Sequence, residues 1–132
     1  MKRRSFFKNS VFASLVLGIP VLLGMNIKKP KIEGKFVHMV FFYLKEATSV
    51  EEFMAITSNF ITSIDLVKSY HLGIPAGTPR DVVDNSYSVC LVATFDSKED
   101  QNDYQVHPIH LKFVEDHKDK WDKVVIYDSW AG

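Results

Sequence analysis

The stretch Phe36-Val-His-Met-Val-Phe-Phe-Tyr-Leu44 decides the fold. Its β-branched and aromatic residues have the composition and length of a strand. Successive side chains of a strand point to opposite faces, and here both alternating sets are apolar apart from His38. An antiparallel sheet with one wet face alternates apolar and polar residues, so this strand needs cover on both sides.

Working outward, Ser49-Val-Glu-Glu52 is a capping box and starts a helix, along which Val50, Phe53, Thr57, Phe60, Ile61 and Ile64 recur at helical spacing. Leu66 to Ile74 reads as a second strand and runs into Gly73-Ile-Pro-Ala-Gly-Thr-Pro-Arg80, whose glycines and prolines mark turns. Tyr87 to Phe95 reads as a third strand, again apolar on both faces. Ser97-Lys-Glu-Asp100 caps a second helix. His107-Pro108 splits it in two, since proline disfavours helical geometry in the residue before it yet fits the first turn of a new helix. Asp122 to Asp128 is the fourth strand, and the body spans residues 36–132.

The order β-α-β-β-α-β is the ferredoxin-like α+β plan, one sheet with helices on one face. The strands around Val40, Leu91 and Val125 are apolar on the remaining face too. A second copy related by a two-fold axis is the simplest cover, giving a homodimeric α/β barrel. A charge at an interior-facing strand position such as Val40 is expected to break or unfold it.

The chain of 132 residues has no net charge, but this is the sum of two unlike pieces. Residues 1–35 carry eight basic side chains against Glu33 alone, a balance of +7; the rest carries 8 basic and 15 acidic groups, a balance of −7. An acidic body excludes nucleic acid as a partner, because binding phosphates needs a basic face. One cysteine, Cys90, rules out an internal disulfide and a thiolate zinc site. Mid-strand among apolar residues, it reads as core.

Residues 1–27 read as an export signal and 28–35 as a basic linker. Arg3-Arg4-Ser-Phe-Phe-Lys8 resembles the twin-arginine consensus ahead of an apolar run. Residues 9–27 hold 19 positions without a charge. As a helix they would reach about 28 Å, near the bilayer's apolar thickness of about 30 Å. With no A-x-A-like site after the run, an uncleaved signal could tether the protein to the membrane. The expected location is the periplasm or the outer face of the inner membrane.

The densest polar cluster is Tyr104-Gln-Val-His-Pro-Ile-His110. His107 reads most simply as a helix cap and His117 as a solvated residue among charges. A helix beginning at Pro108 would align His110, Val114 and His117. Zinc on His107 and His110 would need a third ligand, and no H-E-x-x-H pattern accompanies them. No sequence feature marks His110 as an axial haem ligand. Trp121 and Trp130 read as packing residues.

The body from Val37 to Trp130 resembles the stress-responsive dimeric α/β-barrel (Dabb) family. The resemblance rests on Val37-His-Met-Val-Phe, Gly77-Thr-Pro-Arg80, Tyr104-Gln-Val-His-Pro-Ile-His-Leu-Lys-Phe-Val114 and Trp121-Asp-Lys-Val-Val-Ile-Tyr-Asp128. It implies paired sheets and no cofactor. A cofactor-free plant cyclase of that family closes a polyketide ring by aldol condensation, and its catalytic tyrosine and histidine match Tyr104 and His110. Its strand histidine matches His38, while the position of a further pocket histidine falls at Val89. The resemblance thus implies His110 as general base, Tyr104 as hydrogen-bond donor and His38 as orienter. Two functions are expected: a barrel that binds a small apolar or aromatic molecule or serves a structural, stress-related role, and a cofactor-independent lyase or cyclase. An open interior beside His110 and Tyr104 would favour a ligand; a filled one would leave no room for it.

Overall fold

In the computed structural model, which describes residues 28–132, β1 (Phe36–Leu44) is the inner strand on which the sheet is built. The expected export signal lies outside the described residues. Then follow α1 (Val50–Thr62), β2 (Ser69–Gly73), β3 (Val89–Phe95), α2 (Lys98–Gln105), α3 (Pro108–His117), a 3-10 turn (Lys118–Lys120) and β4 (Trp121–Trp130). The sheet is antiparallel in the order β2-β3-β1-β4, the ferredoxin-like arrangement.

Along β1 the helix-facing residues Phe36, His38, Val40 and Phe42 are buried, while Val37, Met39, Phe41 and Tyr43 point to the face that no helix covers. Phe53, Phe60 and Ile61 of α1 press on the first set, joined by Val89, Leu91, Ala93 and Phe95 of β3 and by Tyr104 and Phe113. Each fully buried large side chain contributes about 1.5–3 kcal/mol. Phe42 meets Phe53 edge-on at 5.0 Å, and Phe60 stacks on Phe113 at 4.1 Å. Thr57, buried in the same stripe, satisfies its hydroxyl by donating to the Phe53 carbonyl at 2.7 Å.

Val40 therefore faces the core of its own subunit, not the uncovered face, and a charge there would unfold the subunit rather than report on assembly. Val50 also departs from expectation: it starts α1 in solvent, 38% exposed. β2 is shorter than the expected 66–74, because Asp65 and Leu66 form a turn closed by Val67 N–H donating to the Ile64 carbonyl, and the ladder begins only at Ser69. β3 starts at Val89, after Ser88, whose hydroxyl accepts from Leu44 N–H in place of a backbone partner. β4 is longer than expected because it stays paired with β1 from Leu44↔Trp121 to Phe36↔Trp130, across a register shift between Tyr43 and Leu44. Among the described residues no helix is long and apolar enough to cross a membrane.

Candidate functional site

A cavity of about 180 Å³ lies between the helix-facing side of the sheet and the three helices. Its walls are mostly apolar: Val40, Phe42, Leu91, Trp121, Val124 and Ile126 from the sheet, Phe60, Phe113 and Val114 from the helices. Four polar residues join them, Tyr104, His110, His38 and Gln105, and no lysine, arginine, aspartate or glutamate lines the space.

Local sequence explains how the first two meet. Ser97 caps α2 by accepting from Asp100 N–H, which turns Gln101 and Tyr104 inward one turn apart. The helix stops at Val106, and His107 caps α3 by accepting from Ile109 N–H at 3.1 Å, with Pro108 in the first turn. The break folds His110 back onto Tyr104, with ring centroids 4.6 Å apart. His110 Nδ1 lies 3.0 Å from the Gln105 carbonyl oxygen, which can only accept, so Nδ1 carries the hydrogen and Nε2 the lone pair.

His38 enters from β1. Its Nδ1 lies 2.6 Å from Oδ1 of Asp128, the residue directly opposite on β4. A carboxylate fixes a histidine's ring and tautomer in this way, so in the neutral ring Nε2 is the free nitrogen. The His38 and Tyr104 rings stand 5.9 Å apart, edge to face. His38 makes no hydrogen bond to either partner; it is itself oriented, by Asp128. Among the described residues Tyr104 Oη, His38 Nε2 and His110 Nε2 have no hydrogen-bond partner, and all three residues line the same largely apolar space. The buried tyrosine–histidine hydrogen bond of a purely structural pair is absent from the bonds of the described residues.

Burial holds the His110 pKa below the usual imidazole value, the Gln105 hydrogen bond opposes this, and His38 and His107 add to the lowering. Burial also pushes the Tyr104 phenol well above its usual range, so it stays protonated as a donor. A neutral imidazole beside a phenolic donor can take a proton next to a carbonyl while the carbonyl oxygen is held.

His107 is a cap, as expected. His117 is not the solvated residue expected of it: it sits half-buried with its ring 5.3 Å from Phe113, its Nδ1 without a partner, and does not line the cavity. Among the described residues no group of three His, Cys, Asp or Glu side chains is placed to hold a metal ion. Cys90 is buried in β3. Trp121 packs on Phe42 and Phe53, and Trp130 on Phe36. Asp128 and the Gln105 carbonyl were not singled out in the sequence. An aspartate closing the apolar run Val124 to Tyr127 was the only signal for the first.

A ferredoxin-like α+β domain with a cavity between its sheet and tandem helices defines the structural class. Residues 36–131 match the family model for the stress responsive A/B barrel domain, Dabb, and the chain belongs to that family. It is 29% identical over 93 residues to a stress-response A/B barrel domain-containing protein of Arabidopsis thaliana, covering 70% of this chain and 83% of that one. It is also 29% identical over 82 residues to olivetolic acid cyclase of Cannabis sativa, covering 59% and 75%. Among solved structures, the hydroxynitrile lyase of Passiflora edulis superimposes with a TM-score of 0.65 at 19% identity, covering 75% of this chain and 94% of that one. A dimeric ferredoxin-like protein of Thermobifida fusca superimposes at 0.60 and 20% identity, covering 77% and 96%.

Proposed function

We propose that the cavity is the site of a cofactor-independent lyase or cyclase that acts on a small aromatic or polyketide-like carbonyl compound. One observation carries this reading: Tyr104, His38 and His110 line one largely apolar cavity, and their Oη, Nε2 and Nε2 atoms have no hydrogen-bond partner among the described residues. A few polar groups without protein partners in an otherwise apolar cavity are the usual anchors of a bound small molecule. The size is apt, since an apolar cavity of about 150 Å³ already takes benzene.

In the proposed reaction His110 Nε2 removes a proton from the carbon beside a carbonyl, and Tyr104 donates its hydroxyl hydrogen bond to the oxygen where charge develops. In a cyclase the carbanion attacks a second carbonyl of the same molecule, a carbon–carbon bond forms, and the new alkoxide takes the proton back from His110. A lyase runs the same steps in reverse. His38, held by Asp128, positions the substrate. Relatives named olivetolic acid cyclase and hydroxynitrile lyase support a chemistry of carbon–carbon bond making and breaking.

The chain is further proposed to act as a homodimer, a reading supported by the uncovered apolar sheet face and by the dimeric relative from Thermobifida fusca. Export by the Arg3-Arg4 signal, to the periplasm or to the outer face of the inner membrane, completes the proposal.

The test starts from protein purified from its own host, by native mass spectrometry for a retained small molecule, followed by assay of 1,3-diketones and hydroxyketones for cyclisation or cleavage. His110→Ala should abolish turnover and Tyr104→Phe should lower it at least tenfold, with each variant keeping its stability to within about 1–2 kcal/mol, the order of one lost hydrogen bond. Large losses of stability in both variants, with no ligand or turnover in the wild type, would leave the pair a structural device and end the enzyme reading.

A further inference from the structure

The cavity meets solvent between α3 and β4. Val114 of α3 and Ile126 of β4 both line it, yet they are 36% and 50% exposed, so these two side chains stand at its opening. Ile126 lies opposite Val40 in the ladder and shares its helix-facing side. Val40 is buried, but β4 is the edge strand and leaves Ile126 half open to water. Leu111, one turn before Val114 on α3, is also exposed and extends the same apolar rim.

Behind this doorway the wall offers an anion no net positive charge. Its polar residues are two histidines, a tyrosine and a glutamine. Burial favours the neutral form of His110. At His38, a proton taken up by the ring is matched by the Asp128 carboxylate 2.6 Å away. Lys112 and Lys118, on α3 and in the turn after it, are ion-paired with Asp116 and Glu115 at 2.6 and 2.8 Å and line no part of the cavity. The body, residues 36–132, carries 15 acidic groups against 8 basic ones, a field that slows the approach of anions. A carboxylate drawn inside would lose its water and find no cation, and burying an unpaired charge in an apolar space is costly.

We propose that the doorway and wall select by charge: the site takes uncharged carbonyl compounds, which enter between Val114 and Ile126, and turns away the corresponding carboxylates. The inference rests on the lyase or cyclase reading and narrows its substrates to ketones, aldehydes and esters without an ionised group. At about 180 Å³ the cavity holds one ring, and an apolar substituent on that ring lies in the doorway against Val114, Ile126 and Leu111. Selection by charge also suits the reaction. Removing a proton beside a carbonyl is easier from a neutral compound than from a carboxylate, whose negative charge opposes a second one, so the site admits the form that His110 can deprotonate.

The test titrates the purified full chain at neutral pH with phenylpropanedione and with phenylglyoxylate, following the ring signals of Tyr104 and His110 by NMR. The probes share a phenyl ketone and a shape; one ends in a methyl ketone, the other in a carboxylate. Wild type should bind the diketone at least tenfold more tightly. Ile126→Lys and, separately, Leu111→Lys place a cation at the doorway. Both positions are exposed, so melting should stay near that of the wild type, while the preference should fall below threefold because phenylglyoxylate gains a partner. Equal binding of the two probes by wild type, preference for the carboxylate, or binding of neither overturns the proposal. So does an undiminished preference in the folded lysine variants. Turnover of carboxylate-bearing ketones would overturn it while leaving the lyase or cyclase reading in place. Selective binding of the diketone with no turnover in any assay would leave the selection standing while that reading falls.

Discussion

His110 owes its fitness as a base to burial: the ring is most easily kept neutral where water cannot stabilise its charge, and the Gln105 carbonyl settles which nitrogen is free. The pH consequence has a definite sign. Its folded pKa lies below the unfolded value of about 6.5, so the unfolded chain binds the proton more readily. The contribution of His110 to stability is therefore whole above that value and falls as pH drops through it toward the folded pKa. A titration of the His110 ring by NMR should place its midpoint below 6.5, and denaturation curves should show the wild type losing stability between pH 7 and 5 more steeply than His110→Ala. A midpoint at or above 6.5 would contradict this environment. Of the four polar residues lining the cavity, Tyr104 and His110 stood out in the sequence as a local cluster, His38 entered the candidate site through the family resemblance, and Gln105 was not singled out. Asp128 was not, because its pairing with His38 depends on the register of strands 90 residues apart, which no local pattern encodes.

At the scale of elements, the break between α2 and α3 is what makes the site. A single continuous helix would send His110 away from Tyr104; the stop at Val106 and the restart at Pro108 bring the rings to 4.6 Å. The His107 cap holds this restart, so His107→Ala should cost about 1 kcal/mol in a melting experiment, while His107→Asn, which can also accept from the backbone, should recover most of it. Equal stability of both variants and wild type would show the cap to be idle. The capping serines 49 and 97 and the Pro108 restart could be read in advance because they are local signals. Strand ends could not: Leu66 and Val67 have apolar side chains but end a turn packed against the core, and β4 runs on to Trp130 because β1 offers it partners.

For the whole molecule, two-sided strands betrayed a face in need of cover, but the sequence did not say which residues looked which way. Val40, apolar like its neighbours, belongs to the inner set, whereas Met39 and Phe41 belong to the outer one. Parity became visible only when the helices were seen to pack on one side. Export is argued at this scale too, since it concerns the destination of the entire chain. Replacing Arg3 and Arg4 with lysine should retain the protein in the cytoplasm with its fold intact, as read by fractionation and immunoblotting. Unchanged export would sink the twin-arginine reading.

The pairing of β1 with β4 also governs how the molecule comes into being. Phe36 lies across the ladder from Trp130, and Ala131 N–H donates to the Lys35 carbonyl at 2.9 Å. The inner strand thus waits for a mate that is made some ninety residues later, and its contacts with β3 are also far from local. Topologies rich in such distant contacts fold slowly, because loop closure must be paid for before the contacts form. During synthesis the nascent chain would present one side of its most apolar strand until Trp130 has emerged from the ribosome. Sheet closure is then a late event that waits for β4, and the cavity with its His38–Asp128 pair can exist only once it is complete.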